Sequence, residues 1–389
     1  MIIIDMTEFF KNLTDNDFLS DKLTHIYFND IVDDKSVNKL IEDIRNANKN
    51  IEQNGVIIKP KPILIHINSK GGSVYDGMRF LSIFNISSVP IATMIDNYSF
   101  SAATFLSIHS PYRVMTKYSL CLLHYYSVTF YNKIKRERLF TELTELENYF
   151  SKIIDMYLKN TKIKKEELHD LLQHDLFINY KFCLEKGIVD RVIDFNHPPV
   201  ILKRNIYDII KDEKTINLHL LPCETDIKSI DSTIIKNNEL KDNVYLIYPI
   251  NSECEKKDEL NNKRDDSFNI FHIFNLINRI KAIKSVKYTI IDVPISIDNL
   301  LPLLYSNKIF MYSHSFIICN LLYLQSPIKN ILMIDTIKNF DTIFNKIKTI
   351  LKQKTKMSLN TISEINKKYI IINPKEALKL GLCHEIIYA

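Results

Sequence analysis

Tryptophan is absent from this 389-residue chain, and glycine occurs only six times. No basic stripe is present either: the formal charge of +5 comes from Lys and Arg interleaved with acidic residues, which argues against a nucleic-acid surface. The six cysteines (Cys121, Cys183, Cys223, Cys254, Cys319, Cys383) lie far apart and include no C-x-x-C pair. They read as buried free thiols in a reducing compartment, and nothing calls for a metal or another cofactor. The opening MIIIDMTEFF carries Asp5 and Glu8 and lacks the basic-then-apolar pattern of a secretory signal. The longest apolar stretch, Ile309 to Leu324, is broken by His314 and Asn320 and falls short of the roughly 20 residues a membrane span needs. A soluble intracellular protein without membrane contact is expected. A Walker A motif is also missing, so any use of ATP must belong to a partner.

What is present is enough apolar residue for packed cores, 46% of the chain, at a length that suggests two domains. The few glycines are placed informatively. Gly71, Gly72 and Gly77 fall directly after the apolar run PILIHIN, and the passage into YDGMRFLSIF reads as strand, tight turn, helix. Paired glycines there permit unusual dihedrals and the close approach of a ligand or another backbone. Gly187 in LEKGIVDRVI and Gly381 in LKLGLCHEII mark a repeated ending of amphipathic helix, glycine and short apolar strand. Each copy follows a long polar helical pattern (Leu139 to Leu158; Phe340 to Lys354), a short helix and an apolar strand (LFIN; YIIIN). Two tandem copies of one fold are therefore expected, residues 1–197 and 240–389, joined by a linker, 198–239, that starts at Pro198 and Pro199.

Within the first copy, apolar strands (HIYFND, ILIHIN, PIATMID, SLCLLHY, LFIN, IVDRVI) alternate with helical patterns (VNKLIEDIRNAN, DGMRFLSIF, SAATFLSIH). That alternation predicts an α/β fold with a largely parallel sheet covered by helices on both faces. Three residues at strand ends could do chemistry. Ser101 stands where an apolar strand meets a helix N-terminus, whose unpaired N–H groups and partial positive charge favour an oxyanion. Serine at such a junction is most often an N-cap. His124 ends YSLCLLH and Asp175 precedes LFIN. Hydroxyl, imidazole and carboxylate are the types a nucleophilic triad needs, though spacing alone does not make them converge.

The order and wording of residues 17 to 193 are similar to the proteolytic subunit of Clp protease. IYFNDIVDDKSVNKLIEDI resembles its opening strand and helix, INSKGGSVYDGMRF its glycine turn, and SVPIATMIDNYSFSAATFL its nucleophile segment. YRVMTKYSLCLLHYY resembles the strand of its catalytic histidine, and HDLFINYKFCLEKGIVDRVID the segment of its catalytic aspartate. The resemblance implies a ClpP/crotonase-like fold, a parallel-sheet superhelix of ββα units. It implies Ser101 as nucleophile, His124 as general base, Asp175 as its orienter, and N–H groups of Gly71 or Gly72 and of Ala102 as the oxyanion hole. It further implies a serine endopeptidase acting on unfolded polypeptides, a homo- or hetero-oligomeric ring, and an AAA+ unfoldase partner. The chain departs from the family pattern at Lys70, where proline is usual, at Phe100 and the residues after Ser101, where the family has small residues, and at His174, where an arginine is common. Ser99 is the alternative nucleophile.

The second half does not keep the triad. Aligned by Gly381, it puts Lys368 where Asp175 stands; KNILMIDTI against YSLCLLHYY puts Asp335 near His124; FMYSHSFIICNLLYL offers Phe316 or Ser315 for the nucleophile; and no paired glycines follow TIIDVPISI. A catalytically silent unit is expected there. The rival readings are an inactive structural or regulatory ring subunit, a crotonase-type acyl-CoA enzyme with acidic catalytic residues, and a signal-peptide peptidase with a lysine base.

Overall fold

The computed structural model describes residues 7–53, 56–126, 136–195, 215–220, 244–249, 267–319, 333–365 and 370–388. The chain divides into two compact units: Met1–Phe18, Lys22–Ile193 and Ile331–Thr336 form one, and Leu19–Asp21, Asp194–Asn330 and Ile337–Ala389 the other.

The first unit is α/β, as its alternating pattern predicts. In chain order it contains β1 (Thr24–Phe28), α1 (Asp34–Ala47), β2 (Ile63–Ser69), α2 (Val74–Met78), β3 (Ile91–Phe100), α3 (Ala103–His109), β4 (Arg113–Thr116), β5 (Leu120–Leu122), α4 (Arg136–Asn160), α5 (Lys165–Leu172), β6 (Ile178–Asn179), α6 (Tyr180–Glu185) and β7 (Arg191–Ile193). The main path of its seven-stranded sheet runs β1-β2-β3-β4-β7, and these neighbours are all parallel. β3 serves two sets of neighbours. Thr93–Ile95 pair with β4, whereas Tyr98–Phe100 pair with β5, which in turn holds β6 antiparallel. This fork carries the end of β3 to the three segments in which the candidate residues lie.

Burial explains why these strands read as unbroken apolar runs. Ile63, Ile65, Ile67 and Ile95 pack with Val37, Leu40 and Ile44 of α1 and with Phe80 in one core. α1 starts earlier than its apolar spacing suggests. Asp33 accepts from Ser36 N–H at 2.7 Å and the Ser36 hydroxyl accepts from Asp33 N–H at 3.1 Å, a capping box that fixes the first turn. Two local expectations change. DGMRFLSIF is not one helix but two short ones, Val74–Met78 and Phe80–Ile83, and Arg113–Thr116 is a strand that the apolar runs alone did not mark.

The second unit contains β8 (Thr215–Leu220), β9 (Val244–Pro249), α7 (Ser267–Ala282), β10 (Val286–Ile291), β11 (Ile295–Ser296), α8 (Ile297–Leu303), β12 (Lys308–Tyr312), β13 (Ile317–Cys319), α9 (Met333–Lys354), α10 (Leu359–Ile365), β14 (Ile370–Ile372), α11 (Pro374–Leu380) and β15 (Glu385–Ile387). A five-stranded parallel sheet runs β8-β9-β10-β12-β15, beside a three-stranded sheet β11-β13-β14. β8 falls inside the stretch read from sequence as a linker and pairs with β9. Asp335, matched from sequence to a strand position, lies instead in the first turn of α9.

Candidate active site

Ser101 follows β3 directly and holds φ at 52°, the one positive φ outside glycine among the described residues. Its N–H donates to Leu122 O at 2.8 Å, fixing the turn against the end of β5. Its carbonyl is doubly held, by Thr104 N–H at 2.9 Å and by the Thr104 hydroxyl at 2.6 Å. Since that hydroxyl spends its proton on Ser101, the buried Tyr157 phenol of α4, 2.7 Å away, donates to Thr104. Burial pushes the Tyr157 phenol up, which keeps it a donor. Ser101 therefore sits in a turn over-determined by its neighbours, not in an ordinary N-cap: the N-cap position of α3 is Ala102.

His124 stands two residues beyond β5, and Asp175 three residues before β6. Their side chains meet, with Nδ1 of His124 donating to Oδ1 of Asp175 at 2.9 Å. The hydrogen bond from His124 holds the Asp175 carboxyl below the usual carboxylate range, against the opposing effect of partial burial. That bond leaves Nε2 as the ring's proton acceptor, the tautomer a general base needs. No hydrogen bond joins the Ser101 hydroxyl to the His124 ring in this structure. Such contacts are often loose before substrate binds.

The glycine turn closes on the same point. Gly71 has φ of 88°, and a Cβ there would stand 2.5 Å from Phe100 O, 2.8 Å from Ser101 Cβ and 3.0 Å from Ala102 N. Only glycine lets this backbone come so near the serine. Gly71 N–H donates to Ser69 Oγ at 3.2 Å, while the turn is pinned to Val32, which donates to Gly71 O at 2.9 Å and accepts from Ser73 N–H at 2.8 Å. Gly71 N–H is thereby engaged within the turn, and Gly72 follows it.

Phe100 stacks on Phe177 at 5.2 Å, so the bulky residue beside Ser101 joins the nucleophile strand to the segment that carries Asp175. Ser99 is fully buried, 3.3 Å from Ser107 Oγ, which removes it as an alternative nucleophile. His174 contacts the Asp335 carboxylate at 3.4 Å. In the second unit, Ser315 is a buried turn serine that donates to Ile291 O at 3.1 Å and offers no free hydroxyl. Counting back from Gly381 by the interval between Gly187 and Asp175 reaches Tyr369 rather than Lys368, and both lie outside the described residues. No group of three or more histidine, cysteine or acidic side chains that could hold a metal occurs among the described residues.

Sequence reading missed three features. The Tyr157–Thr104–Ser101 chain and the Phe100–Phe177 stack join residues far apart in the chain, and no local spacing signals them. The third is a fully buried pair, His66 Nδ1 and Asp96 Oδ2 at 2.8 Å, extended by His25 Nδ1 at 2.8 Å from His66 Nε2. Two polar residues inside apolar strands, His66 on β2 opposite Met94 and Asp96 two residues further along β3, were the available signal.

Fold and site thus define an α/β unit with serine, imidazole and carboxylate gathered at the forked end of a parallel sheet. Comparison with known proteins agrees in kind. Residues 18–196 match the family model described as Clp protease. The chain is 25% identical over 134 residues to the ATP-dependent Clp protease proteolytic subunit of Deinococcus radiodurans, a match covering 34% of this chain and 65% of that protein. It is 26% identical over 136 residues to proteolytic subunit 1 of Protochlamydia amoebophila, covering 34% and 66%, and 24% identical over 135 residues to that of Chlamydia muridarum, covering 34% and 70%. The chain therefore spans about two thirds of the length of these relatives. Among the described residues no helix is long and apolar enough to cross a membrane.

Proposed function

We propose that this chain is a Clp-type serine endopeptidase subunit acting on unfolded polypeptide. Ser101 attacks the peptide carbonyl, His124 takes the hydroxyl proton and returns it to the leaving amine, and water then releases the acyl group by the same route. Asp175 holds the imidazole tautomer, and N–H groups of Gly72 and Ala102 receive the oxyanion. The observation that carries this reading is the His124–Asp175 bond at 2.9 Å on the segment whose backbone also fixes Ser101. Assembly into a ring and feeding by an AAA+ unfoldase belong to the same proposal.

The second unit is read as a degenerate copy of the first, a silent neighbour. Its strand pairing supports this. Ser119 donates to Ile95 O at 2.7 Å as Ser315 does to Ile291 O at 3.1 Å, and Lys162 N–H donates to Lys186 O at 2.7 Å as Lys356 N–H does to Leu380 O at 2.8 Å. Carried along the same register, Ser99 paired with Cys121 corresponds to Ile295 paired with Ile317. Ile297 then occupies the place of Ser101, while Asn320, the residue that matches His124 by count along the sequence, lies outside the described residues.

Labelling of the full chain with a fluorophosphonate, read by mass spectrometry, tests the reading. Modification at Ser101 that is lost in Ser101→Ala and in His124→Ala is the expected result. No labelling in either the free or the assembled protein would replace it with an inactive ring subunit.

A further inference from the structure

A groove of about 430 Å³ opens directly beside the segment that carries His124. Tyr125 and Tyr126, next in the chain, form one wall; Glu147, Phe150, Ser151 and Ile154 of α4 form the other. The buried Phe150 ring makes the floor, 5.0 Å from the ring of Tyr125 and 5.1 Å from that of Tyr126. The same helix reaches both other parts of the site. Tyr157 hydrogen bonds through Thr104 to Ser101, and Tyr149 stands edge-on to Tyr75, three residues after Gly72, at 5.1 Å. A polypeptide held at Ser101 therefore has this groove as the place for a neighbouring side chain.

Among the described residues the walls are aromatic and aliphatic, with the Ser151 hydroxyl and one carboxylate, Glu147. Among the described residues Glu147 has no ion-pair or hydrogen-bond partner, and its charge acts on the Tyr126 phenol, which burial first and Glu147 second push up. A leucine side chain could use the apolar walls but not the carboxylate, and an acidic one is repelled by it. A methylene stem ending in a cation uses both: the stem lies on the rings, and the cation meets Glu147 and the tyrosine faces.

We propose that this groove takes the side chain of the residue whose carbonyl Ser101 attacks, and that Glu147 makes lysine and arginine the preferred residues there. This rests on the nucleophile reading above. The test uses peptidyl diphenyl phosphonates on the full chain, one with a lysine-like and one with a leucine-like side chain at that position. Ser101 Oγ forms the bond to phosphorus, phenoxide leaves, and the hydroxyl proton passes through His124. The lysine-like probe is expected to label Ser101 about tenfold faster. Glu147→Gln is expected to bring the two rates together, and Glu147→Lys to favour a glutamate-like probe. The ratio on one preparation does not depend on how much of it is folded. Equal rates, a faster leucine-like probe, or a ratio unchanged in Glu147→Gln would overturn the inference while a small fluorophosphonate still labels Ser101. Failure of the small probe as well overturns both readings.

Discussion

At Gly71 a single methyl group would collide with the nucleophile's own backbone, and its φ of 88° adds strain for any L side chain. Gly71→Ala is expected to displace the turn that presents Gly72 and to lower fluorophosphonate labelling about 100-fold, the scale of one lost oxyanion donor. Labelling at the wild-type rate would remove this turn from the chemistry. Asp175→Asn is expected to leave the fold in place and lower peptide cleavage by about 10⁴-fold, because the imidazole loses its tautomer partner. The Asp175 carboxyl titrates below its unfolded value, so its contribution to the pair is present above the ordinary carboxylate range and fades as pH falls through the lower folded value. Asp298 behaves in the opposite sense. Its Oδ1 is buried without a hydrogen bond, and burial pushes the carboxyl up to about 7. The folded chain keeps this proton longer than the unfolded chain does, so its contribution is complete below the ordinary range and drains as pH rises to about 7. Denaturation midpoints measured from pH 4 to 7 are expected to fall in the wild type and to fall less in Asp298→Asn; parallel curves would contradict this.

Elements were legible in sequence where one signal sufficed. The run ILIHIN followed by paired glycines marked β2 and its turn, and the Gly187 and Gly381 endings marked two helix-to-strand corners. Pairing was not legible. β3 looks like one strand, yet its halves serve β4 and β5, and this fork is what brings Ser101 beside His124's segment. FMYSHSFIICNLLYL has the texture of a nucleophile segment, but its described part is two short strands around a buried turn serine, because hydrophobicity does not report which strand lies alongside. The sequence placed Ser101, His124 and Asp175 at strand ends, and of these the structure joins His124 to Asp175. The supports of the candidate site were not legible, since they depend on contacts across the sheet. His66 and Asp96 show what such contacts contribute. They tie β2 to β3 with both side chains fully buried, and Asp96→Ala would leave His66 with an unmatched proton in the core. Urea unfolding of that variant is expected to lose about 3 kcal/mol; a loss under about 1 kcal/mol would mean the pair is not needed for the strands to pack.

For the whole molecule, the proposal of one working and one silent unit predicts what cannot be restored by a single change. Ile297→Ser introduces a hydroxyl at the corresponding place, but by sequence Asn320 supplies no base. The variant is expected to show one labelled serine per chain, still Ser101; a second label at position 297 would show that the second unit retains a base the register does not identify. A further consequence lies in the backbone rather than the side chains. Holding a residue with a Cβ in the left-handed region costs about 1–2 kcal/mol, a cost a glycine would relieve. Among the described residues the chain bears it only at Ser101, and not at Ile297. On the proposed reading, strain held at Ser101 and absent at Ile297 marks where a hydroxyl has to be aimed.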